Sequence, residues 1–220
     1  MNLPVDARST GLILRTRRLT ESSLIVHWLS ADFGRVATVA KGALRPKSPF
    51  RGKLDLFFKA DFSFARSRRS ELHTLREVSL RDTHPALRRD LGWLQQASYG
   101  AALIEQTTET DTPLPAVYAL MDGLLDHLPR QPALALTLFA FELKMLGELG
   151  LSPDLGRASL SAGAREILKK LAVIDWASLP RLKLSPAQTI EVRRFLHGFL
   201  LHHLGKVPPG RSAALGDAGE

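Results

Sequence analysis

Arginine and lysine crowd three stretches of the first 70 residues: Arg15, Arg17 and Arg18; Lys41, Arg45, Lys47, Arg51 and Lys53; and Arg66, Arg68 and Arg69. Guanidinium and ammonium groups at this density displace condensed counterions from a phosphate chain, which gives an affinity that falls steeply with salt. Such contacts fix the position of a nucleic acid without reading its sequence. They require a shared face, and that is the expectation for these eleven cations. Phe50 stands among them and is the candidate base-stacking side chain, with Phe57 as a second, because a base stacks on an exposed ring whatever its identity. Trp28, Phe58, Phe62 and Phe64 are instead expected to fill a core.

Covalent chemistry finds little to work with. The chain has no cysteine, which removes disulfides, thiolate nucleophiles and Cys-based zinc sites. No Walker or G-x-S-x-G sequence is present, and Gly11, Gly34 and Gly42 stand apart instead of forming a phosphate-cradling loop. His197, His202 and His203 cluster near one chain end, but His197 and His202 are five positions apart and do not make the i, i+4 pair that grips zinc. The expectation is a protein that is not an enzyme, with no catalytic residue, no metal and no cofactor.

The formal net charge is +8, and its distribution matters more than its size. Residues 1–81 hold 16 Lys and Arg against 7 Asp and Glu, a balance of +9, while the remaining residues hold 14 against 15, a balance of −1. A basic module joined to a nearly neutral one follows, with an anionic partner for the first.

The elements that must carry these side chains read as strands first and helices after. Apolar residues recur with period two over Gly11–Arg18, Ser23–Ser30, Arg35–Lys41, Leu54–Phe64 and Glu71–Leu80, which predicts five strands. Five short strands suit a small closed barrel, since closure removes the exposed edges of an open sheet. Ala43–Gly52 carries two prolines and three cations and is expected to be an exposed, mobile loop.

After Arg81 the period becomes 3.6. A first helix follows the start signal Asp82-Thr83-His84-Pro85 and ends near Thr107; a second runs over Leu114–Leu128; a third opens at Pro132 and stops before Gly150. A shorter helix over Ala164–Leu171 precedes a last one that begins at the capping box Ser185-Pro186-Ala187-Gln188. The tail Val207–Glu220 is rich in Pro, Gly, Ala and Ser and is expected to be disordered. The predicted organisation is α+β with several domains: a β-barrel over 1–81, an all-α helical bundle domain over 82–206, and a disordered tail over 207–220.

Particular residues of the basic half resemble the RecO family: Gly11-Leu12-Ile13-Leu14, Arg17, Glu21, Leu24-Ile25-Val26, Gly34, Ala40-Lys41-Gly42-Ala43 and Ser48, with a looser continuation through Leu54–Phe58, Leu91–Glu105 and Leu143–Leu155. The resemblance implies an OB-fold barrel (the oligonucleotide-binding type) followed by a helical domain, and a recombination mediator of DNA repair. Such a protein binds ssDNA and dsDNA, performs strand annealing, and acts with RecR, and in many bacteria RecF, to load RecA on DNA coated by single-stranded DNA-binding protein. It also implies that the first and third strands are neighbours, which would set Arg15 and Arg17 beside Lys41. For the helical domain it suggests a groove for the acidic, apolar tail of single-stranded DNA-binding protein, with Arg130, Lys144, Arg193 and Arg194 as the partner-binding cations. Many family members carry a four-cysteine zinc ribbon after the segment matching Gly150–Leu155; here Gly156–Gly163 is short and holds no cysteine.

Two other readings fit the same charge pattern. One is an OB-fold RNA-binding protein of translation or ribosome assembly, and the other an adaptor whose basic face binds an acidic protein. No run of 18 apolar residues occurs and nothing at the start has the order of a secretory signal, so no membrane association and a cytoplasmic, nucleoid-associated location are expected.

Overall fold

A computed structural model describes residues 6–216 of the chain. They divide into two compact units, one holding the chain to Pro85 together with Thr108–Asp122, the other Ala86–Thr107 together with the chain from Gly123 onward.

In the first unit five strands close into a barrel: β1 (Asp6–Arg18), β2 (Leu24–Ser30), β3 (Gly34–Ala40), β4 (Lys59–Ala65) and β5 (Leu72–Asp82). Their order is β1-β2-β3-β5-β4, with β4 returning to β1. Only β3 and β5 run parallel. This is the OB type of barrel that the resemblance implies. The predicted adjacency of the first and third strands is not found: β2 lies between them, with Arg17 opposite Ile25 and Ile25 opposite Val39. Closure forces this, because each hairpin turn joins consecutive strands and β1 spends its other edge on β4.

Alternation places Ile13, Val26, Trp28, Val36, Phe62 and Phe64 in the barrel core. Trp28 and Phe62 stack at 4.2 Å, and the indole N–H is satisfied by donating to Thr38 Oγ1 at 2.9 Å. Gly11 makes room for this stack, since a Cβ there would stand 2.9 Å from the Phe62 ring.

The fourth strand is shorter than its apolar pattern predicts. Leu54–Phe58 is irregular, and Phe57 takes φ of 63°. That left-handed residue turns the chain, so Phe57 becomes buried at 1% exposure while Leu56 is exposed. Its amide donates to Ile13 O at 2.8 Å and its carbonyl meets His84 Nδ1 at 2.7 Å.

The segment Thr108–Asp122 lies against the barrel as a strap. Asp111 donates its amide to Arg35 O at 2.9 Å, Leu114 donates to Ala31 O at 3.2 Å, and Lys59 pairs with Asp122 at 2.7 Å. The Arg35 guanidinium donates to Thr108 O. Gly34, at φ of 60°, lets the strap pass, because a Cβ there would collide with the Thr112 carbonyl. The sequence pattern, which separates barrel from helices at Arg81, gives no hint of this return.

Six α-helices follow among the described residues: α1 (Leu91–Thr107), α2 (Pro115–His127), α3 (Ala135–Glu148), α4 (Ala162–Val173), α5 (Pro186–Leu204) and α6 (Arg211–Ala214). The second unit takes α2 only from Gly123. The first helix opens later than its start signal predicts: Asp82–Pro85 leads into a 3-10 turn over Pro85–Arg89, and Asp90 supplies the cap, accepting from Trp93 N at 3.2 Å. The capping box at Ser185 forms as predicted, with Ser185 Oγ accepting from Gln188 N at 3.2 Å and Gln188 Oε1 accepting from Ser185 N at 2.9 Å.

The tail departs most from expectation. Val207–Gly216 is ordered and docked, and α6 packs on α1. Arg211, buried despite its charge, donates from Nε and Nη2 to the Glu142 carboxylate at 2.6 and 2.9 Å. The Tyr99 hydroxyl donates to the same carboxylate at 2.7 Å. Burial, followed by the charge of Glu142, pushes the Tyr99 hydroxyl well above its ordinary range. Burial alone would weaken the Arg211 charge, but the hydrogen bonds and charge of Glu142 outweigh it and raise its pKa. A low-complexity composition signals disorder only when nothing anchors it, and here one long-range ion pair does. Residues 217–220 of the expected tail lie outside the described residues.

Candidate nucleic-acid interface

The direction of the first cationic group is set by one extra residue. Ile13 pairs with Trp28, and the next pair is Arg15 with His27, so Leu14 is a β-bulge. Without it, Ile13, Arg15 and Arg17 would share the core face, because side chains alternate with period two. With it, Arg15 and Arg17 turn outward, opposite His27 and Ile25. The apolar run Leu12-Ile13-Leu14 hides this shift from a reading of the sequence.

His27 registers the potential on that outer face. Its pKa falls from 6.5 to about 4, first through burial and then through the charges of Arg15, Arg17 and Arg35. The charge pattern of the sequence marks neither His27 nor Arg35 as part of the interface. The alternation in Leu24–Ser30 is the available signal for His27, which faces outward between the inward Val26 and Trp28. Arg35 shares the face but commits its guanidinium to Thr108 O.

The second group continues from the same end of the barrel. Arg18 lies opposite Leu24, Leu24 opposite Ala40, and Lys41 follows directly. The stretch Ala43–Gly52, expected as a mobile loop, is instead a chain of turns, with Arg45 N donating to Gly42 O at 3.1 Å, Ser48 N to Arg45 O at 3.1 Å and Arg51 N to Ser48 O at 3.2 Å. Leu44 N donates to Ser22 O at 2.9 Å, which ties the turns to the β1–β2 connection. Arg45, Lys47 and Arg51 are exposed on it.

Two members of this group lie differently from the expectation. Phe50 is 7% exposed and packs with the barrel core, so it offers no open face for a base to stack on, and Phe57, fully buried, offers none either. Both are drawn in because a barrel of five strands has too little apolar surface without them. Lys53 is half-buried, and its ammonium donates to Val78 O at 3.2 Å.

The third group does not join the others. Arg66, Arg68 and Arg69 connect β4 to β5 at the end where β2 turns into β3, and the Arg66 guanidinium sits 5.0 Å over the Phe33 ring. Arg18 and Lys41 flank the opposite end of β2, whose seven residues span about 20 Å at 3.3 Å each. The cations therefore form two poles instead of one continuous face.

Pairing with acids separates the barrel surface further. Arg81 bonds Asp61 at 2.7 Å, Arg8 lies 3.7 Å from Glu77 and Arg76 lies 4.0 Å from Asp6. Among the described residues no carboxylate stands within ion-pairing distance of Arg17, Arg18, Lys41, Arg45 or Lys47, so their positive potential is directed at solvent.

In the helical unit the four partner-binding candidates fall in three places. Arg193 and Arg194 line a cleft of about 790 Å³ together with His197, Val207 and Leu215. Arg130 borders a smaller one beside His127 and Trp176. Lys144 is half-buried and donates to Ala172 O at 3.4 Å; burial lowers its pKa, against the opposing charge of Asp175. No helix among the described residues is long and apolar enough to cross a membrane.

Residues 1–84 match the family model described as Recombination protein O N terminal, and residues 88–161 match Recombination protein O C terminal. The chain belongs to the RecO family. Its similarity to individual members spans most of its length: it is 29% identical to DNA repair protein RecO of Anaeromyxobacter dehalogenans over 91% of this chain and 92% of the relative. To the RecO of Bacillus pumilus it is 29% identical over 91% of this chain and 80% of the relative, and to that of Pelotomaculum thermopropionicum 33% identical over 71% and 60%. RecO membership assigns the chain a role in DNA repair, and the closed barrel followed by helices is the architecture that the two family models divide between them.

Proposed function

We propose that this RecO chain is a non-enzymatic recombination mediator that holds ssDNA and dsDNA by their phosphates at the barrel end formed by Arg17, Arg18, Lys41, Arg45 and Lys47. The observation that carries the reading is the pairing contrast: Arg8, Lys59, Arg76 and Arg81 face acids and Arg35 and Lys53 are spent on backbone carbonyls, whereas no carboxylate stands within ion-pairing distance of these five cations among the described residues. Gathering two strands on one basic surface lowers their mutual repulsion and raises their local concentration, so annealing accelerates with no bond made or broken in the protein. Arg66, Arg68 and Arg69 give a second basic pole about 20 Å away, placed for a second strand or for the continuation of a long one.

The cleft beside Arg193 and Arg194 pairs cations with apolar walls, which suits the acidic, apolar tail of single-stranded DNA-binding protein. With that protein and RecR, and with RecF where present, the chain would deliver coated DNA to RecA. An annealing assay with complementary strands of about 60 nucleotides, bare and coated with single-stranded DNA-binding protein, tests the reading. Acceleration of both is expected at low salt, and less with Lys41→Ala/Arg45→Ala. An unchanged annealing rate on bare strands overturns it, and a clear preference for matched RNA strands favours the translation reading instead.

A further inference from the structure

We propose that the barrel captures single unpaired nucleobases in a cleft under the Ala43–Gly52 turns, an inference that rests on the phosphate-holding reading of the same barrel end. The cleft measures about 330 Å³, at the small end of ligand cavities, which run from about 300 to 1,000 Å³. That is room for one planar ring and not for a paired duplex. Its surface is apolar where Leu24, Ala43, Phe50 and Leu54 meet, and basic where Arg45 and Arg51 border it. A nucleotide has the same two parts, a flat apolar ring and an anionic phosphate, joined by a sugar.

The cleft is held in shape by the backbone. Leu44 N donates to Ser22 O and Gly42 N to Ser23 Oγ at 3.2 Å, so the turns cannot fold down onto Leu24 without breaking these bonds. Arg51 is steadied by donating to Pro46 O at 3.2 Å, which crosses the turn and fixes one wall. Leu44 stands 41% exposed at the edge, an apolar side chain left in solvent beside cations that have no acid partner among the described residues. The buried Phe50 ring contributes floor to the cleft and no outward platform, so the base would enter the cleft to gain contact instead of lying across the surface.

The capture has a consequence for mediation. A duplex hides its bases and would be held through phosphates alone, whereas a single strand would gain one additional anchored base per barrel. A strand held by an unpaired base is released as that base pairs with its complement, which fits a protein that must let go of annealed product.

Binding of two probes of equal phosphate number separates the inference from the reading beneath it: a 12-nucleotide deoxythymidine strand and a 12-unit strand made wholly of abasic tetrahydrofuran sites. Wild type is expected to bind the thymidine strand at least about tenfold tighter, as a base–side-chain contact contributes. Leu44→Ser, an exposed change that spares the barrel core, is expected to erase most of that advantage while leaving abasic affinity within twofold. Arg45→Ala is expected to weaken both probes alike. Equal binding of the two probes by wild type overturns base capture and leaves phosphate holding intact, and an advantage that survives Leu44→Ser overturns the cleft as its location. Failure of both probes to bind at low salt overturns the phosphate reading and the cleft with it.

Discussion

Replacing Arg211 with methionine removes one side of the buried pair that docks the C-terminal segment. The substitution keeps an unbranched apolar stem but deletes both hydrogen bonds to Glu142, at 2.6 and 2.9 Å. Glu142 is 0% exposed, and the Tyr99 hydroxyl at 2.7 Å would be left to satisfy it. Breaking a buried pair from one side typically costs about 3–5 kcal/mol, because the remaining charge is left uncompensated in a poor dielectric. In a chain of this size each kcal/mol moves the midpoint by about 2–4 °C, so a fall of roughly 6–20 °C is expected in the unfolding of the helical unit. Calorimetry would measure it, and hydrogen exchange at Gly210–Gly216 would show the segment opening first. The destabilisation should change little between low and high salt, since the pair is shielded from ions. Adding Glu142→Leu to Arg211→Met should recover most of the stability, as apolar replacements of buried pairs do. A midpoint within about 2 °C of wild type for Arg211→Met would refute the view that this pair holds the tail.

Three further outcomes follow from particular interactions. Gly34→Ala puts a methyl group into the Thr112 carbonyl at a φ that L-residues avoid, so a destabilisation of more than about 1 kcal/mol is expected, with proteolysis appearing first within Thr108–Leu114. His27 has its folded pKa lowered to about 4 from 6.5; the unfolded chain therefore takes up the proton first, and stability should fall as pH drops from about 6.5 to about 4 and then level off. His27→Gln should flatten that part of the melting profile, and an NMR titration of wild type should show the His27 pKa rising when a short DNA strand is added, as phosphates offset Arg15 and Arg17. Deleting Leu14 removes the bulge and turns Arg15 and Arg17 toward the core, so the barrel should fail to fold, whereas Leu14→Val should fold and bind DNA normally by circular dichroism and anisotropy.

The strands and helices were legible because their signals are local. Alternation in Arg35–Lys41 and Ser23–Ser30, and the Ser185–Gln188 capping box, depend on neighbours a few positions away, and each formed within a residue or two of its predicted bounds. What escaped was non-local or hidden in a uniform run. The bulge at Leu14 sits among three consecutive apolar residues, so either face could have been the inner one. The strap Thr108–Asp122 and the Arg211–Glu142 pair join residues far apart in the chain, and composition around them points to loop and tail. Phe50 read as outward because it stands among the prolines and cations of an expected loop, and Phe57 because alternation continues the strand through Leu54–Phe58, where a left-handed residue reverses the direction. The cationic groups were visible as residues, but their division into two poles depends on which strand ends meet, and that is a property of closure.

The dependence of DNA affinity on salt tests the central claim most directly. Fluorescence anisotropy with a single strand of about 12 nucleotides between about 50 and 200 mM salt should give a log–log slope that Arg17→Ala/Lys41→Ala makes shallower by about 1.4, some 0.7 for each single-strand phosphate that the variant no longer neutralises, with the melting temperature unchanged. A slope and affinity equal to those of wild type would show that DNA does not rest on this end of the barrel.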